Sequence, residues 1–461
     1  MAVNYRLIGL LAFLVSVAAV VAVADTGADD EIAQLWRSPV FRRAFMASYG
    51  AKAEVEPRVS AAERLVMANV AVLMGTKGGM EKSRQLLEKA ITADSTAVFD
   101  FTLASIYLQE DKLDAAVRWY QKAVLKFPSF LRAHRNLGLV QIRKNVYDKA
   151  VAPLAKAIEL GDVSGLTFGL LGFAYLQTEE YTSAEGAYRQ AMLLQPDVPD
   201  WKLGLSRVLF KESKFEEAAT LCGNLIRKEP TRVDYWMLQS GAYLGMKQPL
   251  KAAQNYEALD SAGLATAGTL NTLGDIYVNE GVFDLAASAY LRAMDRDEQG
   301  SSDRYLWDAE VLAARGAGEE AARLVERVKT RMGKQIGDAE RKRLLKLDAR
   351  LAATRESGGD EQRRLLEEIV ALDPLDGEAL ILLGQYHAGA GNSEKACFLY
   401  ERAAGLEKFE AEAKLRMAQC MVRNGRYKEA VPLLKRALEL KPREDVSRYL
   451  EQVERVARTK S

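Results

Sequence analysis

Two histidines and three cysteines in 461 residues leave this chain with little of the chemistry that builds a reactive centre. Histidine titrates near neutrality and is the commonest metal ligand, so acid–base relays and multi-histidine metal sites are disfavoured. Three cysteines do not make a disulfide framework, although Cys397 and Cys420 stand close enough in the repeat pattern to meet in an oxidising compartment. An excess of one charge is also missing. Lys and Arg total 64 against 63 Asp and Glu, which argues against a polyanion binder as a whole. The sequence contains no HExxH, CxxC, GxSxG, P-loop or glycine-rich dinucleotide fingerprint. Neighbouring acids such as Glu179-Glu180, Glu216-Glu217 and Glu319-Glu320 fall at turns or helix starts, where the helix dipole favours them. These lacks lead to the expectation of a protein that is not an enzyme, with no catalytic residue, cofactor or metal.

Long apolar runs are absent after the first 24 residues, with one run before that point. Arg6 precedes an apolar stretch at 7–23, and Ala22-Val23-Ala24 leads into the acidic Asp25, Asp29 and Asp30. A basic end, an apolar core and a small-residue site describe a secretory signal peptide cleaved after Ala24. The competing reading is an uncleaved membrane anchor, for which 17 apolar residues are at the lower limit. The expectation is an exported protein of the periplasm or, with the anchor retained, one tethered to the membrane and facing that compartment.

What the chain does have is a period. Ala116, Ala150, Ala184, Ala218, Ala252 and Ala286 are each 34 residues apart. With units starting at 97, 131, 165, 199, 233 and 267, the eighth place holds Ala104, Gly138, Gly172, Ser206, Ser240 and Gly274. The twenty-fourth holds Tyr120, Leu154, Tyr188, Cys222, Tyr256 and Tyr290, and Pro128, Pro196 and Pro230 stand at the thirty-second. Small residues belong where two helices approach closely, large ones fill the space between, and proline ends the second helix. The two histidines fall in the same packing columns, His134 at the fourth place and His387 at the eleventh.

These columns resemble the tetratricopeptide repeat family. The resemblance implies an all-α, right-handed superhelical solenoid of antiparallel helix pairs, each pair burying its apolar face only against its neighbours. The organisation read from the period is a signal peptide at 1–24, an N-terminal segment and cap at 25–62, and a degenerate helix pair at 63–96. Six repeats follow at 97–300, then a degenerate repeat with a longer turn at 301–342, three repeats at 343–444, and a capping helix and tail at 445–461. The stretch at 336–342 reads as a longer turn inside the array or as a joint between two sub-arrays. An aromatic stripe of Phe41, Phe45 and Tyr49 reads as a cover for the first unit or as a partner-binding motif.

In tetratricopeptide arrays the first helix of each pair lines an inner groove. The resemblance therefore places Phe101, Leu108, Arg132, Arg135, Leu139, Ile142, Arg143, Phe173, Arg207 and Lys211 on a protein-binding face, with Leu166 and Leu176 beside them. Several of the apolar members have the alternative of packing against the next unit. The later units offer the more polar Glu378, Gln385, Glu412, Gln419 and Arg423. Of the clamp with which some family members hold a terminal carboxylate, Asn136 alone is present. The basic run Arg341, Lys342, Arg343, Lys346 and Arg350 reads as a solvated helix face, with a docking patch as the other possibility.

The segments 41–60, 98–103 and 271–285 are similar to exported bacterial tetratricopeptide proteins, some of which accompany ExbB–ExbD–TonB energising systems. The function this implies is a non-enzymatic scaffold for an extended or helical protein segment in a bacterial envelope complex, without nucleic acid. A structural cell-envelope or outer-membrane assembly factor, and an accessory subunit of an envelope enzyme, are the competing readings.

Overall fold

In the computed structural model, residues 54–297, 302–332, 336–355 and 359–459 are described. The apolar leader at 1–24 and the stripe of Phe41, Phe45 and Tyr49 lie outside them. Among the described residues there are twenty-three α-helices, one 3-10 helix and no strand. The chain divides into two units, Met1–Gln248 and Pro249–Ser461, and the division falls within the fifth 34-residue period.

The first unit holds α1 (Ala61–Met74), α2 (Gly79–Ala90), α3 (Ala97–Gln109), α4 (Leu113–Lys126), α5 (Leu131–Arg143), α6 (Asp148–Glu159), α7 (Gly165–Gln177), α8 (Tyr181–Leu194), α9 (Pro199–Lys211), α10 (Phe215–Lys228) and α11 (Val233–Gly245). Helices one apart in sequence pack as antiparallel pairs, and each pair packs on the next. The first helices α5, α7, α9 and α11 also touch in succession, so they line the side of the stack on which the pairs converge.

Local chemistry starts these helices. Ser60 Oγ accepts the Glu63 N–H at 3.3 Å while a Glu63 carboxylate oxygen accepts the Ser60 N–H at 2.8 Å, a reciprocal cap that opens α1. Thr96 and Ser164 cap α3 and α7 through their hydroxyls. In eight repeats the first helix then ends at the fifteenth place with a left-handed residue. Asp111, Asn145, Glu179, Ser213 and Lys247 have φ between 57° and 63°, and Gly281, Gly391 and Gly425 take the same turn without a Cβ.

The alanine column is the tightest part of the core. Ala116, Ala150, Ala184, Ala218, Ala252, Ala286, Ala396 and Ala430 are all 0% exposed. The eighth place lies against the twenty-fourth of the same unit. A Cβ added at Gly138 would stand 2.4 Å from Leu154, and one at Gly172 3.0 Å from the Tyr188 ring. The period is thus the spacing at which a missing side chain on one helix meets a large one on its partner.

The second unit contains α12 (Pro249–Ser261), α13 (Ala267–Asn279), α14 (Phe283–Arg296), α15 (Ser302–Ala314), α16 (Gly318–Met332), α17 (Asp338–Ala353), α18 (Gly359–Leu372), α19 (Gly377–Gly389), α20 (Ser393–Ala404), α21 (Glu410–Arg423), α22 (Tyr427–Leu440) and α23 (Glu444–Thr459). From Asp338 onward the inserted residues lengthen the first helix of a pair, where the sequence suggested a longer turn. The physical reason is local. The run Asp338-Ala339-Glu340-Arg341-Lys342 favours helix, acids stand in the first turn, and the Glu340 carboxylate accepts the Gly337 N–H at 2.7 Å. At the other end α23 lies on α22, burying Val446 and Val453 with Leu434 and Ala437.

Candidate protein-binding face

The ten residues placed on a binding face all belong to the first unit, on α3, α5, α7 and α9. They separate into three groups. Phe101 and Leu139 are each 6% exposed and are core, which corrects the reading of them as open anchors. The Phe101 ring centroid is 5.0 Å from Phe130 and 5.6 Å from Tyr120, and the Arg132 guanidinium covers it at 5.4 Å. Phe101 is thus covered from the start of α5 by Phe130 and Arg132. Leu108 and Ile142 are half-buried at the margins of two core clusters, and Phe173 meets Tyr147 edge-on at 5.6 Å while keeping part of its surface.

The second group is the arginines of α5, and each has a carboxylate. Arg132 forms a two-pronged pair with buried Glu56, both bonds 2.7 Å long. Arg135 faces Asp162 at 3.7 Å, and Arg143 reaches Asp111 at 2.7 Å. Burial pushes the Arg135 pKa down against the support of Asp162 and Glu56, with the Arg132 charge adding to the depression. Asn136, the remnant of a clamp, gives its amide to the Tyr120 hydroxyl at 3.2 Å. No repeat column marks Glu56 as the partner of Arg132, because an acid 76 positions away has no periodic signature.

The third group is Arg207 and Lys211 on α9. Both are exposed and make no ion pair or hydrogen bond with any described residue. They are the free cations of the proposed face, one helical turn apart.

Four of the five cations of the basic run in the second unit are paired within that unit, and Arg350 is exposed. Arg341 pairs with Glu368, Lys342 with Asp373, Arg343 with Asp303 and Glu310, and Lys346 with Asp376 and Glu378. A more unusual group there is Asp308. It is fully buried beside Arg304, and burial together with the Asp275 charge pushes its pKa up to about 7. Cys222 is buried, with its thiol pushed up to about 11 by burial, and all three cysteines are free. Among the described residues no group of three or more His, Cys, Asp or Glu is gathered to hold a metal, and no helix is long and apolar enough to cross a membrane.

Stacked helix pairs with a 34-residue period define an all-α repeat protein. Models described as tetratricopeptide repeat match residues 101–164 and 175–241, and one described as anaphase-promoting complex, cyclosome, subunit 3 matches 390–451. The chain is a member of the tetratricopeptide repeat family. It is 25% identical to human intraflagellar transport protein 70B over 173 residues, which are 33% of this chain and 24% of that protein. It is 24% identical to the chloroplastic tetratricopeptide repeat domain-containing protein PYG7 of Arabidopsis thaliana over 119 residues, 25% of this chain and 40% of that one. The matches thus span less than half the length of these relatives. Among solved structures, YrrB, a tetratricopeptide repeat protein with an unusual peptide-binding site, matches 38% of this chain and 91% of its own at 22% identity and a TM-score of 0.36. The MamA protein matches 36% and 90% at 20% identity and a TM-score of 0.35. Repeats of this family indicate a scaffold for protein–protein interaction, and such scaffolds are typically non-catalytic.

Proposed function

We propose that the protein is a non-enzymatic scaffold exported to the periplasm of a bacterial envelope, where the first-helix face of its N-terminal unit holds an extended or helical segment of a partner protein. The observation that carries this reading is the contrast on that face. The α5 arginines are satisfied within the unit, while Arg207 and Lys211 on α9 are exposed and unpaired. Two uncompensated cations beside half-buried Phe173 suit a segment with apolar anchors and acidic neighbours. Export rests on Arg6, the apolar stretch 7–23 and Ala22-Val23-Ala24. A setting beside ExbB–ExbD–TonB-type energised transport rests on the resemblance of segments 41–60, 98–103 and 271–285 to exported proteins of that kind.

The test is capture of partners from native envelope extract by the wild type and by Arg207→Glu with Lys211→Glu. Reversal of both exposed charges should remove the captured partner and leave the melting temperature within a degree or two. Unchanged capture would place binding elsewhere. Intact-mass measurement of protein from the same envelope reads export, with a chain starting at Asp25 expected and a retained leader contradicting cleavage.

A further inference from the structure

Residues 55–59 belong to no helix, yet they are held against the starts of two first helices. The Val55 carbonyl accepts the Leu131 N–H at 3.3 Å, so it caps α5, whose own cap residue Phe130 offers no side-chain acceptor. The Arg58 carbonyl accepts the Thr96 hydroxyl at 3.0 Å at the start of α3. Between these points Glu56 is 8% exposed and both of its carboxylate oxygens are gripped by Arg132. Pro57 beside it is buried as well. Main-chain acceptors on helix N-termini, one carboxylate in an arginine fork and a buried proline are the contacts an extended peptide makes with a receptor. Here the peptide is part of the receptor.

We propose that residues 55–59 are a built-in pseudo-ligand, and that the site they fill takes, in trans, an extended partner segment with a glutamate followed by proline. This rests on the scaffold reading above and adds the chemistry of the partner and its regulation. A tethered segment acts at a high effective concentration, so a free one must displace it and binds weakly until the tether lets go. Arg132 reads the carboxylate, and the α5 N-terminus reads the carbonyl before it. Arg135, which feels both Glu56 and Asp162, adds positive charge beside the fork.

The experiment uses the full chain and a fluorescent synthetic peptide with the sequence of residues 54–61, Glu-Val-Glu-Pro-Arg-Val-Ser-Ala, read by anisotropy. The wild type should bind it weakly. Glu56→Ala should bind it about tenfold more tightly or better, and adding Arg132→Ala to that variant should abolish the gain. Glu56→Gln keeps the shape of the side chain and removes its charge; it should show the same direction, and it carries the test should Glu56→Ala fail to fold. Equal affinity across the wild type and both Glu56 variants, no binding to any of them, or a gain that survives loss of Arg132 would overturn the proposal. Partner capture through Arg207 and Lys211 is read separately, so a failed pseudo-ligand leaves the scaffold reading standing, and lost capture with intact peptide binding does the reverse.

Discussion

Gly274 faces Tyr290 so closely that a Cβ at position 274 would stand 2.3 Å from a ring carbon. The ring cannot swing away cheaply, because Tyr290 is buried and its hydroxyl donates to the Asp275 carboxylate at 2.8 Å. The same pairing of eighth and twenty-fourth places recurs at Gly384 and Tyr400, where the separation would be 2.5 Å. Gly274→Ala should therefore destabilise the protein by about 1–3 kcal/mol through overpacking, although alanine is the better helix former by about 1 kcal/mol. Thermal unfolding followed by circular dichroism checks it. A variant that melts at or above the wild-type temperature would contradict the packing.

The alanine column makes a companion case. Ala184 and Ala286 are 0% exposed, and Ala286→Leu adds three heavy atoms at a contact with no spare room. A loss of about 1–3 kcal/mol is expected, again read from the melting curve, and an unchanged curve would remove the register.

The fifteenth-place turns carry strain that glycine relieves. Ser213 and Lys247 sit at φ 61° and 57°, where a Cβ costs about 1 kcal/mol. Lys247→Gly should be neutral to stabilising by up to about 0.5 kcal/mol once the looser unfolded chain is counted. Gly391→Ala, at φ 83°, should destabilise by about 1 kcal/mol. Chemical denaturation of the two variants checks the contrast, and the opposite order would refute it.

The period made the fold legible because its causes are local and repeated. A small residue opposite a large one, a left-handed turn, and a capping hydroxyl or acid each leave a mark at a fixed place. Ser60 and Glu63 announce α1 in the same way. The binding face was less legible. Phe101 and Leu139 occupy places that point inward in such arrays, but how far neighbouring units close over them depends on tertiary approach, which single-chain spacing does not record. Nor does spacing record that Glu56, 76 residues away, satisfies Arg132. The helical start at Asp338 is marked by its acids and helix formers and not by the period.

Asp308 gives the protein a pH dependence near neutrality. Burial raises its folded-state pKa to about 7, above the ordinary unfolded value near 4. Between those values the folded chain keeps a proton that the unfolded chain has lost. This group's contribution to stability is therefore full below about pH 4 and falls as pH rises to about 7, by at most about 1.4 kcal/mol per pH unit. Asp308→Asn should flatten melting temperature against pH between 5 and 7.5. Parallel profiles for the two proteins would show that Asp308 titrates elsewhere.

The central claim, that a partner protein lies on the first-helix face of the N-terminal unit, is tested most directly by photo-crosslinking in the native envelope. A benzoylphenylalanine placed at Phe173 or at Lys211 reports on that face, and one at exposed Gln190 on the second helix α8 reports on the other side of the same pair. The account predicts a discrete protein adduct from positions 173 and 211 that position 190 does not give, and its loss from position 173 when Arg207 and Lys211 are both changed to glutamate. An adduct from position 190 with none from positions 173 and 211 would contradict it.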